Sequence, residues 1–495
     1  MTSRRTAGVV AAAVALSAIT ACSPALDATG GADGRDSVVV AASAAPAGLD
    51  FTTVGGAAAP QAMMGNIYET LVRIDDSGQP QPFLATSWDV SEDGTVYTFH
   101  LREGVTFSNG KPFNAEDAKF SIEYVRDSWT NALKAQMDPV RDVAVLDEHT
   151  VQVTLAGPST SWLWSMGTFT GAMMTPESID RLATDPLGTG PYTLRAFRPG
   201  DAVEFASRGD YWGAPVEHDA AIRYFADSVS AVNALRVGDV DVVWFMQAPE
   251  LIGALPDAIE VLVGTTNGEL VFSMNNNAAP FDDPDVRKAA AYAIDRAALS
   301  EVVFNGLATD TGGAPVPPTD PWFTGRDYYP FDPERARELL DGRRPSVTIT
   351  VPNLPYAQTA SELIFSQLRD VGFDVRLDTV EFPAVWLNQV LTGHDYQASL
   401  VAHIEPRDIP MIFGDPDYYL GYDSPRTRAL LDAAEVGNQE ENMAAAIDQI
   451  MADAAALTLV NVPNLVLTAP GVGGVNPNMV TDALRLADVT KGATP

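Results

Sequence analysis

Residues 346–382 read SVTITVPNLPYAQTASELIFSQLRDVGFDVRLDTVEF, and this stretch decides the fold class. Its first segment, 346–351, has the composition of a short buried strand, and 374–382 reads as a second strand. Between them, 356–372 has the periodicity of an amphipathic helix that ends at Gly372. Strand, helix and strand at this spacing predict a parallel sheet with a right-handed crossover, and therefore an α/β protein.

The same alternation continues towards the C-terminus. A second helix is predicted over 383–393 and a third strand over 395–403, which reads DYQASLVAH. Ligands of such sheets bind beyond the carboxyl ends of the strands. The segment that follows Leu400 is therefore where we expect a binding site.

The N-terminal half has a different texture. Residues 95–107, TVYTFHLREGVTF, and 148–157, EHTVQVTLAG, alternate polar and apolar side chains between glycine-containing turns. This pattern predicts antiparallel strands. A helix is predicted over 114–127, where Asn114 is placed to cap it. We therefore expect an antiparallel α+β unit beside the α/β part.

The first residues have the pattern of an export signal. Residues 1–21 carry Arg4 and Arg5 and then a short apolar run, and they lead into Cys22, which is the single cysteine of the chain. This order resembles the lipobox of bacterial lipoprotein signal peptides, which implies removal of 1–21 and lipidation of Cys22. The alternative is an ordinary secretory signal with a chance cysteine. Residues 22–36 are predicted to form a flexible tether.

Charge and motifs exclude several function classes. The formal charge is −34, which argues against nucleic acid as a partner. The segment GTGPYT (188–193) starts like a dinucleotide loop, but it lacks the third glycine and Pro191 removes a backbone donor. No phosphate-binding, zinc-protease or nucleophile-elbow motif occurs. We therefore expect a binding protein, not an enzyme, and no cofactor.

Several ordered blocks resemble the family 5 solute-binding proteins of ABC importers, which include oligopeptide-, dipeptide- and nickel-binding proteins. The resemblance covers roughly 37–490. Its blocks are PFLATSWDVSEDGTVYTFHLREGVTFSNGKPFNAEDAKFSIEYVRD (82–127), GTGPYTLRAFRPGDAVEF (188–205), RGDYWGAP (208–215), AVNALRVGDVDVV (231–243), LVFSMNNNAAPFDDPDVRKAAAYAIDRAALSEVVFNGLA (270–308) and FDPERARELL (331–340). We expect AAAYAIDRAAL (289–299) to be one helix.

The resemblance implies a two-lobed clamp of the periplasmic-binding-protein type (type II, cluster C). Lobe I would span 37–266 and contain an inserted antiparallel α+β subdomain over about 76–185. Lobe II would span 267–460, and 461–495 would return to lobe I. The two chain crossings, near 264–270 and 458–466, would act as the hinge. The solute would be enclosed between the lobes, and the closed form would be recognised by the permease.

The binding site is expected in the segment 397–425. In peptide-binding relatives this region carries a tryptophan and an aspartate that pairs with the α-amino group of the peptide. Here His403 stands near the place of the tryptophan, and Glu405 and Asp408 are both candidates for the acid. Arg407 lies between them and could bind a ligand carboxylate or simply neutralise one of the acids. Weaker candidates for the cleft are Tyr68, Asn109, Trp244, Asn275 and Trp386.

The leading functional hypothesis is an extracytoplasmic lipoprotein that captures short peptides for an ABC importer. It would be a monomer held on the outer face of the bacterial cell membrane by its lipid alone. A second hypothesis keeps the fold but changes the solute to a nickel or other metal chelate, an opine-like metallophore or a sugar-derived compound, with His403 as a partner. A third is a non-transport envelope protein with a sensory or interaction role.

Overall fold

The computed structural model describes residues 37–53 and 56–492. The predicted signal peptide 1–21, the lipidation site Cys22 and the tether 22–36 lie outside the described residues. Two large hydrophobic cores divide the described chain into two lobes. The core of the first lobe is built mainly before residue 250 and after 465, and that of the second lobe from residues 270–460.

Strands and helices alternate along the chain more regularly in the second lobe than in the first. The strands are β1 Ser37–Ala42, β2 Val72–Ile74, β3 Pro80–Pro82, β4 Ala85–Val90, β5 Val96–Leu101, β6 Val140–Asp147, β7 Thr150–Leu155, β8 Tyr192–Arg198, β9 Ala202–Ser207, β10 Asp219–Tyr224, β11 Val242–Val243, β12 Glu260–Met274, β13 Ser346–Pro352, β14 Asp374–Val380, β15 Ala398–His403, β16 Ala456–Thr468, β17 Val472–Gly473 and β18 Thr490–Lys491. The helices are α1 Ala58–Met63, α2 Ala115–Ser128, α3 Thr160–Ser165, α4 Ser228–Val237, α5 Pro284–Ala293, α6 Arg296–Phe304, α7 Pro333–Leu340, α8 Pro355–Val371, α9 Ala384–Trp386, α10 Ile409–Gly414, α11 Pro425–Val436 and α12 Gln439–Ala452.

A ten-stranded mixed sheet runs through both lobes, in the order β14-β13-β15-β12-β16-β11-β1-β10-β9-β8. Strand β13 pairs in parallel with both β14 and β15, so the parallel arrangement predicted from 346–403 is confirmed. The crossover helix α8 ends where predicted, with Gly372 at its C-cap. The helix predicted over 383–393 is present, but after α9 it continues as a π-helical segment, Leu387–Thr392.

Strands β12 and β16 connect the two lobes. They pair antiparallel in two stretches, Glu260–Thr265 with Pro463–Thr468 and Glu269–Ser273 with Ala456–Asn461, and the register shifts between Thr265 and Glu269. The interruption is held by Asn461, whose Nδ2 donates to the carbonyls of Thr266 (2.8 Å) and Gly268 (3.1 Å). The hinge and the domain boundaries expected here from the sequence stay predictions.

The first lobe carries a separate four-stranded antiparallel sheet in the order β4-β5-β7-β6. Helix α2 packs on this sheet, and Asn114 caps it, accepting hydrogen bonds from the backbone N–H groups of Glu116 and Asp117. The alternating stretches and the capped helix predicted from the sequence are therefore confirmed.

The single helix expected over 289–299 is wrong. The chain forms α5 and α6, separated by Ile294 in an extended conformation and by Asp295. The Asp295 carboxylate accepts from the backbone N–H of Ala298 at 2.9 Å, which starts a new helix instead of continuing the old one. The alanine-rich composition is helical on both sides, so the break depends on this aspartate.

The GTGPYT segment holds the first lobe together through close backbone contact. A Cβ at Gly188 would lie 1.9 Å from the carbonyl oxygen of Ile67, so only glycine fits there. Next to it, the buried carboxylate of Glu69 accepts hydrogen bonds from Thr189 Oγ1 (2.8 Å), Tyr211 OH (2.7 Å) and Trp212 Nε1 (2.8 Å). These blocks therefore define the fold of the first lobe.

Candidate functional site

The candidate site begins where β15 ends. His403 is the last residue of the strand, and the following turn places Glu405, Arg407 and Asp408 before α10 starts at Ile409. Arg407 has a φ of 57°, which lies in the left-handed region and turns the chain sharply. This turn projects two carboxyl groups and a guanidinium from the carboxyl end of a sheet strand, the location expected for a ligand site.

Arg407 joins the two lobes. Its guanidinium lies 4.5 Å from the ring centroid of Trp164 in the first lobe and 4.6 Å from that of Trp322 in the second. It also donates to the carbonyl of Gly78 in the first lobe (2.6 Å), and its Nε lies 3.7 Å from Asp320 Oδ1. Burial lowers its pKa to about 10, which still leaves the guanidinium charged at neutral pH.

His403 is a neutral polar group in this environment. Its Nε2 lies 2.8 Å from Tyr419 OH, which in turn lies 2.7 Å from Ser273 Oγ. Its Nδ1 lies 3.8 Å from Asp408 Oδ2. Burial lowers the pKa of the imidazole to about 4, so His403 contributes a hydrogen-bonding ring and no positive charge at neutral pH.

The carboxyl groups around Arg407 outnumber the positive charges. Burial, with the charges of Glu405 and Asp320, raises the pKa of Asp408 to about 8. Burial raises the pKa of Asp320 to about 6, against the effect of Arg407, and that of Asp482 to about 6. We call the whole set the interlobe cluster: Glu269, Asp320, His403, Glu405, Arg407, Asp408 and Asp482.

Glu269 is the most deeply buried member of the interlobe cluster. It is 4% exposed, and burial, followed by the charges of Asp408 and Asp320, raises its pKa well above the usual range. Among the described residues, Glu269 Oε1 and Asp320 Oδ2 have no hydrogen-bond partner. The Thr458 hydroxyl lies beside Glu269 and lowers the pKa of its carboxyl group against the effect of burial. The interlobe cluster therefore offers buried acceptors that the rest of the described chain does not satisfy.

Part of the interlobe cluster has the composition of a metal site. One ligand atom from each of His403, Glu405 and Asp408 can be chosen so that all three lie within 4.8 Å of one another. A neutral imidazole with two carboxylates fits the donor preference of divalent transition metals. The same three side chains would equally well bind an organic ammonium group.

A second contact between the lobes lies at the start of α3. Glu435, near the end of α11, accepts hydrogen bonds from Ser159 Oγ and Ser161 Oγ, both at 2.8 Å. Thr160 Oγ1 donates to the carbonyl of Ala434 at 2.9 Å. Together with Arg407, these bonds hold the lobes against each other on the side of the interlobe cluster.

The other predicted site residues lie elsewhere. Tyr68 and Trp244 are buried in the core of the first lobe. Trp386 is buried in the core of the second lobe, where its Nε1 donates to Ser399 Oγ at 3.0 Å. Asn275 holds a turn by donating to the carbonyls of His394 and Tyr396. Asn109 lies on the surface and donates to Glu177 Oε2 at 2.9 Å.

The structure adds residues that the sequence analysis did not name. Glu269, Trp164 and Asp482 come from three separate segments, and Asp320 and Trp322 share a fourth. None of them belongs to a local pattern that indicates a ligand. Glu269 carried the best available signal in the sequence, because it is a charged residue next to the apolar end of β12. Charged side chains are seldom buried in such a strand without a functional or structural reason. Trp164 and Trp322 carried none, because buried tryptophans are ordinary core residues.

Comparison with known proteins gives one consistent family. The family model for bacterial extracellular solute-binding proteins, family 5 Middle, matches residues 79–441. The glutathione-binding protein GsiB of Salmonella typhi is 30% identical over 355 residues, which are 68% of this chain and 68% of that protein. Among the described residues, no helix is both long enough and apolar enough to cross a membrane.

Solved structures agree with the two-lobed fold. An ABC transporter substrate-binding protein from Sinorhizobium meliloti superposes with a TM-score of 0.78 at 25% identity, over 92% of this chain and 100% of that one. A dipeptide-binding protein from Pseudoalteromonas sp. SM9913, in complex with Met-Leu, superposes with a TM-score of 0.73 at 22% identity, over 92% and 100% of the two chains. The predicted α/β clamp is therefore confirmed.

Proposed function

Because the chain belongs to the family 5 bacterial extracellular solute-binding proteins, we propose that it captures short peptides between its lobes and delivers them to an ABC permease. Members of this family are the binding proteins of ABC importers and not enzymes, so the role as a solute-binding protein is established by membership. The peptide, the lipid anchor and the particular residues that hold the solute are the proposal.

The observation that carries the peptide proposal is the presence of carboxyl groups and a guanidinium in one turn of the interlobe cluster. Glu405 and Asp408 supply carboxyl groups, and Arg407, which lies between them in sequence, supplies a guanidinium. A peptide is a zwitterion, so an acid for its ammonium and an arginine for its carboxylate form a complementary pair. The relatives support the choice, since one is a glutathione-binding protein and another is a dipeptide-binding protein with Met-Leu bound.

Capture is expected to work by closure of the lobes. The contacts of Arg407 with Gly78 and of Glu435 with Ser159 and Ser161 join the two lobes, so they exist only in the closed arrangement. A solute that contacts both lobes binds the closed form better than the open one and shifts the population towards it. The permease then distinguishes loaded from empty protein by shape.

The peptide proposal is tested by isothermal titration calorimetry and thermal unfolding of the purified protein with a dipeptide and tripeptide library. A solute at 100 times its Kd stabilises the folded state by about 2.7 kcal/mol. We expect Asp408→Asn to weaken binding at least ten-fold, whereas Asp378→Asn, at an exposed position of β14, leaves it unchanged. Failure of every peptide to shift the melting temperature, or equal binding by both variants, would contradict the proposal.

A metal chelate is the second candidate solute, and the arrangement of His403, Glu405 and Asp408 favours it. In this case the melting temperature rises only when metal and chelator are added together. His403→Ala abolishes that rise. A metal-dependent shift that survives His403→Ala would remove this candidate, and a shift with metal-free peptides would favour the first.

The anchoring of the protein is a separate part of the proposal. We infer that Cys22 is lipidated after removal of 1–21 and that the monomeric protein stays on the extracytoplasmic face of the cell membrane. Mass spectrometry of the membrane-extracted protein should give an acylated N-terminal cysteine. Cys22→Ser should move the protein to the soluble extracytoplasmic fraction, and continued membrane retention of this variant would overturn the inference. Light scattering of the soluble Cys22→Ser protein measures its molar mass and so tests whether it is a monomer.

A further inference from the structure

The interlobe cluster holds more carboxyl groups than a simple peptide requires. It contains five carboxyl groups and one guanidinium, and His403 is neutral. In the proposed function, the α-ammonium of a peptide pairs with Asp408 or Glu405, and Arg407 lies 3.7 Å from Asp320. Glu269 is only 4% exposed, and the charged side chains that act on it among the described residues are the acids Asp408 and Asp320.

Strand register places Glu269 in a row of polar side chains. It lies directly opposite His403 on β15 and directly opposite Asn461 on β16. Directly paired residues of antiparallel strands project to the same face of a sheet. The three side chains therefore line one face across three neighbouring strands, at the register shift between the lobes.

The side-chain oxygen of Asn461 is a second buried atom that lacks a hydrogen-bond donor among the described residues. Both of its Nδ2 hydrogen bonds go to the backbone at the register shift, which fixes the amide and turns Oδ1 away from those carbonyls. Asn461 is 0% exposed, and its Oδ1 has no hydrogen-bond partner among the described residues. Glu269 Oε1 and Asn461 Oδ1 belong to directly paired residues, and both are buried oxygens without a hydrogen-bond partner in the described part of the chain.

The chemistry of the missing group follows from these acceptors. An ammonium group has three donors and no acceptor, and a guanidinium has five donors. An apolar or acidic side chain at this place would leave both buried oxygens without a donor, which is unfavourable. A cation supplies the donor and also favours the ionised form of Glu269. We propose that the solute carries a second cationic group besides its α-ammonium, and that Glu269 and Asn461 bind this group. The inference rests on the proposed capture of peptides and makes the protein selective for basic ones.

The test compares peptides that differ only in the second charge. Lysine and norleucine share a four-carbon side chain, and only lysine adds an ammonium group. Calorimetry of the purified protein is carried out with Ala-Lys against Ala-norleucine, and with Lys-Ala against norleucine-Ala. We expect at least ten-fold tighter binding of the lysine peptide in one of the two pairs.

Variants then assign the preference to its residue. Glu269→Gln keeps the shape of the side chain and removes the charge, so the ratio within that pair should fall to near one. Asp378→Asn removes an exposed charge of the second lobe and should keep the ratio. Unfolding curves without solute check that both variants fold. If Glu269→Gln does not fold, the ratio in the unmodified protein decides the selectivity by itself.

The outcomes separate the inference from the proposed function. Equal binding of both peptides in both pairs overturns the second cation and leaves peptide capture intact. A preference for lysine that Glu269→Gln does not change overturns the assignment to Glu269. If no peptide binds, peptide capture fails, and 1,5-diaminopentane is then compared with pentylamine. A preference for the diamine that is lost in Glu269→Gln supports the cation site, and its absence overturns it.

Discussion

At the scale of single residues, Asp408 lowers the stability of the protein when no solute is bound. It is a carboxyl group that burial and two neighbouring acids, Glu405 and Asp320, keep protonated at neutral pH. A cationic solute reverses this balance, because it stabilises the ionised form. The residue that we expect to anchor the solute is therefore unfavourable for the stability of the empty protein.

The free energy of unfolding of the solute-free protein should therefore depend on pH through Asp408. The pKa of Asp408 rises to about 8 in the folded protein, against about 3.9 in an unfolded chain. Between pH 4 and pH 8 the unfolded chain loses a proton that the folded one keeps, so this group lowers stability as the pH rises. We expect Asp408→Asn to match the unmodified protein at pH 4 and to be more stable by about 1–3 kcal/mol at pH 8.

Urea unfolding at pH 4, 6 and 8 without solute measures this difference. The exposed Asp378→Asn variant is the matched control and should follow the unmodified protein at each pH. A lower stability of Asp408→Asn at pH 8 would mean that its carboxylate is favourably paired in the empty protein.

Residue identities in the site were predictable only where they are neighbours in sequence. His403, Glu405, Arg407 and Asp408 follow one strand, so the rule for the carboxyl ends of strands finds them together. Asp320 and Trp164 reach the same place from segments more than 80 residues away, and no local pattern connects them. An aromatic side chain in the sequence does not by itself distinguish a ligand contact from a core residue. The candidates Tyr68, Trp244 and Trp386 all lie in hydrophobic cores.

At the scale of elements, the segments that carry the family resemblance determine packing. Gly188 lies where the loop before β8 passes against the chain at Ile67, and Glu69 fixes the neighbouring loop with three hydrogen bonds. Helix α8 was predictable because its apolar period ends at a C-terminal glycine, Gly372, and the flanking strands were predictable from their short apolar runs. The break between α5 and α6 was not predicted, because alanine-rich periodicity hid the capping role of Asp295.

Gly188 gives the clearest prediction at this scale. A methyl group at this position would lie 1.9 Å from the Ile67 carbonyl oxygen, so the backbone must move. We expect Gly188→Ala to lower the free energy of unfolding by about 3 kcal/mol. Gly157→Ala is the matched control, since a methyl group there would meet nothing within 4 Å. Chemical unfolding measures both, and equal stabilities would show that the loop adapts freely.

At the scale of the whole molecule, closure depends on how closely the lobes approach. Gly78, in the turn between β2 and β3 of the first lobe, faces Thr319 and Pro321 of the second. A Cβ at Gly78 would lie 2.9 Å from the Thr319 carbonyl oxygen and 3.3 Å from Arg407 Nη2. These contacts cross between the lobes, so a larger residue affects closure more than folding.

We therefore expect Gly78→Ala to weaken solute binding about ten-fold or more, which is about 1.4 kcal/mol. Gly78 has a φ of 73°, so the substitution also introduces backbone strain. Gly104→Ala is matched for this strain, with a φ of 77°, but has nothing within 4 Å of the new methyl group. Calorimetry and unfolding on both variants separate the effects. Equal affinities would indicate that the turn moves aside.

The position of Arg407 between Trp164 and Trp322 has an optical consequence. Opening of the lobes separates the two indole rings and brings water to both, so their emission should shift to longer wavelength, and solute should shift it back. Trp164→Phe identifies this contribution among the eight tryptophans of the chain. The closure proposed above would then be reported by the protein's own fluorescence, without a label and fast enough to follow capture in a stopped-flow instrument.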